Sequence, residues 1–147
     1  MEYVFVFGPV AVTVTRCECR EGDIEAGARV ELRRAESLPG NRPGNEGLRV
    51  LPVTEGGIWR ADLLTLVDPP TNEPRYHYHP RYESGDVGER VFDPELTADP
   101  PGWTMEKLRD FRTLLVESGA ADVADHVDYD EVAGALPAIR AAIDACL

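Results

Sequence analysis

The feature that most constrains the fold is a change of hydrophobic period along the chain. Up to about residue 82 the chain holds short runs rich in β-branched and aromatic residues, several with apolar side chains at every second position. From Thr104 onward apolar side chains recur at helical spacing. A period of two puts successive side chains on opposite faces of a strand, and a period near 3.6 gathers them on one side of a helix. Residues 3–7, 10–16, 28–34, 48–53, 58–67 and 75–82 read as strands. In the second of these, Val10, Val12 and Val14 alternate with Ala11, Thr13 and Thr15. Gly8-Pro9 and Glu21-Gly22-Asp23 read as turns, and Thr54–Gly57 as the connection of a hairpin. Residues 37–47 hold so many Pro, Gly and Asn that no regular element survives there.

The later part has helix signals. Thr104 is placed as an N-cap, and Met105, Leu108, Phe111 and Leu115 share a face. Gly119 is placed to stop that helix. A second helix opens near Asp128 or Asp130, carries Val132, Leu136, Ile139 and Ile143 on its apolar side, and contains Pro137, expected to kink or restart it. The expected fold is therefore α+β: an antiparallel sheet of five or six strands over residues 3–82, then C-terminal helices at 104–118 and 130–146 packing on it. A chain of 147 residues that is 43% hydrophobic can bury a core without staples, so a single domain is expected over 1–147. Its parts are a β-rich 1–82, an irregular linker 83–103 and a helical 104–147.

Composition excludes several classes. The longest near-apolar stretch, residues 3–12, is interrupted by Gly8 and Pro9, and a membrane-spanning helix needs about 20 apolar residues. A net charge of −12 repels polyphosphates and anionic membrane surfaces, which argues against nucleic acid as a partner. Three cysteines, an odd number without an export signal before them, suggest reduced thiols and a cytoplasmic protein. Oligomeric state is left open, homo-oligomers included.

The most informative segment is residues 74–83, Pro-Arg-Tyr-His-Tyr-His-Pro-Arg-Tyr-Glu. On a strand, Arg75, His77, His79 and Arg81 point one way, and Tyr76, Tyr78 and Tyr82 point the other, into the core. In the preceding strand Arg60 and Asp62 share a face. Pairing of the two strands would bring Asp62 to the histidines. Three readings compete. In the first, His77, His79 and Glu83, with Asp62 as an alternate carboxylate, hold a divalent transition metal such as Zn, Fe, Ni or Cu. Arg60, Arg75 and Arg81 then orient a small anionic ligand. In the second, His77, His79 and Asp62 perform metal-free acid–base catalysis, as in a ribonuclease-like toxin. In the third, the Arg/His face is solvated surface of an acidic, non-catalytic interaction protein.

The run His77-x-His79-x-x-x-Glu83 resembles half of a cupin metal motif, but Thr71 and Arg90 stand where its glycines would be. Helices follow where further barrel strands should be, which rejects a cupin barrel. Three segments, Ile58-Trp-Arg-Ala-Asp-Leu-Leu, His77-Tyr-His-Pro-Arg-Tyr and Arg90-Val-Phe-Asp-Pro-Glu-Leu, together resemble an uncharacterised family of small proteins from actinobacteria, over roughly residues 57–115. That resemblance implies a bacterial source and a shared fold, and it favours no mechanism.

Overall fold

The computed structural model describes residues 1–19, 24–36, 53–68 and 74–147. The alternating segments form an antiparallel sheet of five strands in sequence order: β1 (Glu2–Phe7), β2 (Val10–Cys19), β3 (Ile24–Glu36), β4 (Val53–Asp68) and β5 (His77–His79). Gly8, with φ of 65°, makes the tight β1–β2 turn. The turn expected at residues 21–23, the loop at 37–47 and residues 48–52 of the expected fourth strand lie outside the described residues.

Directly opposed residues in an antiparallel pair share a face, so the register defines rows that cross the sheet. One row is Tyr3, Val14, Val30, Ala61 and Tyr78; its neighbour on the same face includes Phe5, Val12, Leu32 and Trp59. Val12, Val14, Val30, Leu32 and Ala61 are fully buried. Removing each larger aliphatic side chain from water stabilises the fold by about 1.5–3 kcal/mol before ordering costs. Helices cover this face: α1 (Pro94–Ala98), α2 (Pro100–Arg109), α3 (Phe111–Glu117), α4 (Ala121–Ala124) and α5 (Tyr129–Cys146). The Trp59 indole stacks on Trp103 of α2 at 6.2 Å, and Phe7 meets Phe111 of α3 edge-on at 5.9 Å.

Several expectations need correction. Residues 54–57 are not a hairpin turn; they continue β4 opposite β3, with irregular register near Arg33. The expected strand 75–82 is only three residues long, because the chain bends at Pro80. Residues 83–103 are not an irregular linker. A small hairpin, β6 (Tyr82–Glu83) with β7 (Asp86–Val87), opens the segment, and α1 and the start of α2 follow. The prolines that read as breakers are first-turn residues: Asp93 caps Pro94-led α1, and Asp99 caps Pro100-led α2. Thr104 is consequently inside α2, its hydroxyl bonded to the Pro100 carbonyl at 2.8 Å. The helix expected at 104–118 is divided at Asp110 into α2 and α3. Asp128 does cap α5, accepting from Asp130 and Glu131, and α5 runs through Pro137 without ending.

Candidate metal centre

The sheet's other face is polar. Its rows are Glu2, Thr15, Arg29, Asp62 and His77, and beside them Val4, Thr13, Glu31, Arg60 and His79. The strand pairing therefore brings Asp62 opposite His77 and Arg60 opposite His79. Although this face is polar, Asp62 is 0% exposed, His77 3% and His79 4%. Three such side chains buried together need partners, because an unmatched buried charge or dipole is costly.

Most of these partners are identifiable. Arg29 Nε donates to Asp62 Oδ1 at 2.7 Å, and Arg60 Nε donates to Asp62 Oδ2 at 2.6 Å. His77 Nδ1 lies 2.8 Å from the Arg75 carbonyl oxygen, and His79 Nδ1 lies 3.0 Å from that of Gly88. A carbonyl only accepts, so both rings carry a proton on Nδ1. In a neutral imidazole Nε2 then bears a bare lone pair. Both Nε2 atoms nevertheless turn toward Asp62 Oδ2, at 3.3 Å from His77 and 3.6 Å from His79. His77 Nε2 is buried there without a hydrogen-bond partner of ordinary geometry.

A lone pair aimed at a carboxylate oxygen is repulsive unless a cation stands between them: a second proton on the ring or a metal ion. Burial lowers the His79 imidazole below its ordinary value; the Gly88 hydrogen bond opposes this and Arg60 adds to it. The charged ring is thus disfavoured at His79. Burial would raise the Asp62 carboxyl, but His77 Nε2 when it carries a proton and the guanidiniums of Arg29 and Arg60 outweigh it and hold the group well below the usual carboxylate range. Asp62 is an anion whenever the protein is folded near neutral pH. Two Nε2 lone pairs and one carboxylate oxygen, all within 4.8 Å of one another, form a two-His, one-carboxylate donor set. Commitment of each Nδ1 to a backbone carbonyl is the supporting hydrogen bond that metal-binding histidines have.

The segment after β5 folds back over the pair. Val91 exchanges both backbone hydrogen bonds with Tyr78 at 2.9 Å, and the Phe92 ring lies 5.7 Å from that of His77. Tyr82 crosses β4 at Gly57, where an added Cβ would fall on the tyrosine ring. Its hydroxyl donates to Glu31 Oε1 at 2.5 Å. Burial first and then Glu31 push the Tyr82 hydroxyl up to about 12.

Of the residues singled out by sequence, Asp62, His77, His79 and Arg60 come together. Arg75 contributes its carbonyl to His77. Two do not join the group. Glu83 is exposed in β6, opposite Asp86, and Asp62 supplies the carboxylate instead. Arg81 is exposed and donates to the Glu117 carbonyl at the end of α3, at 3.2 Å. The bend at Pro80 ends the period-two reading, so Arg81 leaves the polar face and Tyr82, expected in the core, takes a place on it. His126 is exposed near the β1–β2 turn, outside the group. Sequence reasoning missed Arg29 and Glu31, although the alternation of residues 28–34 already put Arg29, Glu31 and Arg33 on one face.

Fold and site together define a five-stranded antiparallel meander with helices on one face and a buried His–His–Asp group on the other. Residues 29–143 match the model of a family described as a domain of unknown function, DUF7700. The chain belongs to that family, and the matched span contains every residue of the group, Arg29 included. No curated protein matches the chain, and no solved structure does.

Proposed function

We propose that this protein binds one divalent transition-metal ion through His77 Nε2, His79 Nε2 and Asp62 Oδ2. The observation that carries this reading is the pair of buried Nε2 lone pairs converging on one carboxylate oxygen, with both Nδ1 protons fixed elsewhere. Zn, Fe, Ni and Cu all accept imidazole nitrogen, and this donor set with open positions suits ferrous iron and zinc in particular. Such an ion supplies Lewis acidity at its open positions. The chain's own residues hold the rings in register and keep the carboxylate ionised, and Phe92 packs beside His77. A ribonuclease-like use of the histidines is less well supported, since rings this buried do not reach the backbone of a polymer. We place the chain in the cytosol, folded as one domain over 1–147, a reading that the acid excess and the odd number of cysteines favour. No helix among the described residues is long and apolar enough to cross a membrane.

The test is elemental analysis of protein purified without chelator or affinity tag, beside a His77→Ala/His79→Ala variant. Near-stoichiometric metal in the wild type and none in the variant is the expected result. Absence of metal from both, after exposure to zinc and ferrous salts, overturns the reading.

A further inference from the structure

We infer that the metal-loaded site takes a small doubly charged oxyanion, held by the ion and by the terminal nitrogens of Arg29 and Arg60. This rests on the metal reading above and goes beyond it by naming the ligand's chemistry. The first argument is charge. Asp62 carries one negative charge and faces two guanidiniums, so the group is singly positive before any ion enters. Glu31 stands opposite Arg60 and acts on Arg29, but Arg33 is bonded to it at 3.2 Å, so Arg29, Arg33 and Arg60 against Asp62 and Glu31 still leave one positive charge. A divalent ion makes the group triply positive in a buried setting, where uncompensated charge is strongly unfavourable. A dianion returns it to the balance it has without metal, and a monoanion does not.

The second argument is geometry. Arginine has five N–H donors in a planar fork, and both arginines spend Nε on Asp62. The forks are anchored on the carboxylate that the ion would share, so their terminal groups are held within reach of the ion's surroundings. A planar, pre-oriented fork suits carboxylate and phosphate oxygens better than it suits water. The side chains remain 25% and 17% exposed at Arg29 and Arg60, whereas the metal-ligating atoms are shut away, so the ligand's approach is from the arginine side. The two histidines and Asp62 fill three positions of an ion, and a chelating oxyanion fits the positions left open. Compact dicarboxylates and phosphate share this chemistry.

The experiment uses full-length protein loaded with Co(II), whose visible absorption reports its ligands. Titrations with oxalate, inorganic phosphate and acetate are followed by absorption and calorimetry, in loaded and metal-free protein. Oxalate or phosphate is expected to change the Co(II) bands and to bind loaded protein at least about tenfold more tightly than metal-free protein or than acetate binds. The preferred dianion tells a dicarboxylate site from a phosphate site. Arg60→Lys, which keeps one donor for Asp62 and loses the fork, is expected to retain Co(II) and to weaken the dianion about tenfold. Arg29→Lys is the second variant should the first fail to fold. Stoichiometric Co(II) with bands unmoved by any anion up to about 10 mM overturns the inference and leaves the metal reading intact. Failure of Co(II) to bind overturns the metal reading and this inference with it. Equal anion affinity with and without metal also overturns it, since the arginines alone would then be the site.

Discussion

The row Tyr3, Val14, Val30, Ala61, Tyr78 and the row Glu2, Thr15, Arg29, Asp62, His77 cross the same five strands one residue apart. The first meets a layer of helices; the second ends in a buried cluster of charge. Leu63 and Asp62 are neighbours in sequence and equally inaccessible, yet they are buried for different reasons. Leu63 is stabilised by leaving water, whichever hydrocarbon it touches. Asp62 is tolerated only because named atoms replace its water: Arg29 Nε and Arg60 Nε. Burial on the helical face is set by volume, and burial of the charged group on the polar face by pairing. Substitutions on the first face should therefore change stability with little effect on metal, and those in the His–His–Asp group on the second should abolish metal binding whatever they cost in stability.

Trp59→Ala is the severest test of the helical face. Removing a ring that is 1% exposed and stacked on Trp103 should cost about 4 kcal/mol in denaturant unfolding. Whatever fraction stays folded should still take up metal one to one. Asp62→Ala comes next, at about 2–3 kcal/mol. It strands two guanidiniums, although these are exposed enough to recover some hydration. Unlike Trp59→Ala it should abolish metal uptake, and a variant that binds metal normally would place the ion elsewhere.

His79→Ala should cost only about 1 kcal/mol without metal, with its main effect on metal-linked stability. Zinc at a hundredfold excess over its Kd should stabilise the wild type by about 2.7 kcal/mol, seen as a rise in Tm, and leave the variant unmoved. Tyr82 gives a pH test. Its raised hydroxyl binds its proton more tightly in the folded state, so its contribution is fully present below the ordinary tyrosine value near 10 and is lost as pH rises through about 12. Ultraviolet titration should show a tyrosine ionising late, and Tyr82→Phe should remove that step. The smallest effects belong to Arg81→Ala and Glu83→Ala, both exposed, which should change stability within about 0.5 kcal/mol and leave metal binding unchanged. A loss of metal in Glu83→Ala would return the carboxylate role to Glu83.

Much of this contrast was legible in the sequence. Strict alternation at Val10, Val12 and Val14 marks the buried face, and His77-x-His79 with Arg60-x-Asp62 marks the polar one, because period two survives in regular strands. Legibility fails where the backbone leaves regularity. Pro80 bends the chain, so counting onward by twos misplaces Arg81, Tyr82 and Glu83. The prolines that open α1 and α2 read as part of an irregular linker because their roles depend on the preceding Asp93 and Asp99, which become caps only once the helix forms. Arg29 was missed for a different reason. It lies 33 residues from Asp62, and only the β3–β4 register brings them together.

The position of β5 has a consequence for how the molecule assembles. With the strands in sequence order, each can join by closing a hairpin on the one before, and β5 comes last, at the margin of the sheet. Three register pairs hold it to β4, while β3 and β4 share thirteen. Marginal strands are where a sheet opens first, and beyond β5 the outer edge is covered only by the Val91 bridge to Tyr78 among the described residues. Two of the three donors ride on this short strand and the third on its neighbour, so ligation across β4 and β5 would act as a clasp. The ion would then do for the outer strand what length does for the inner ones, and metal-free protein should be the form in which β5 frays.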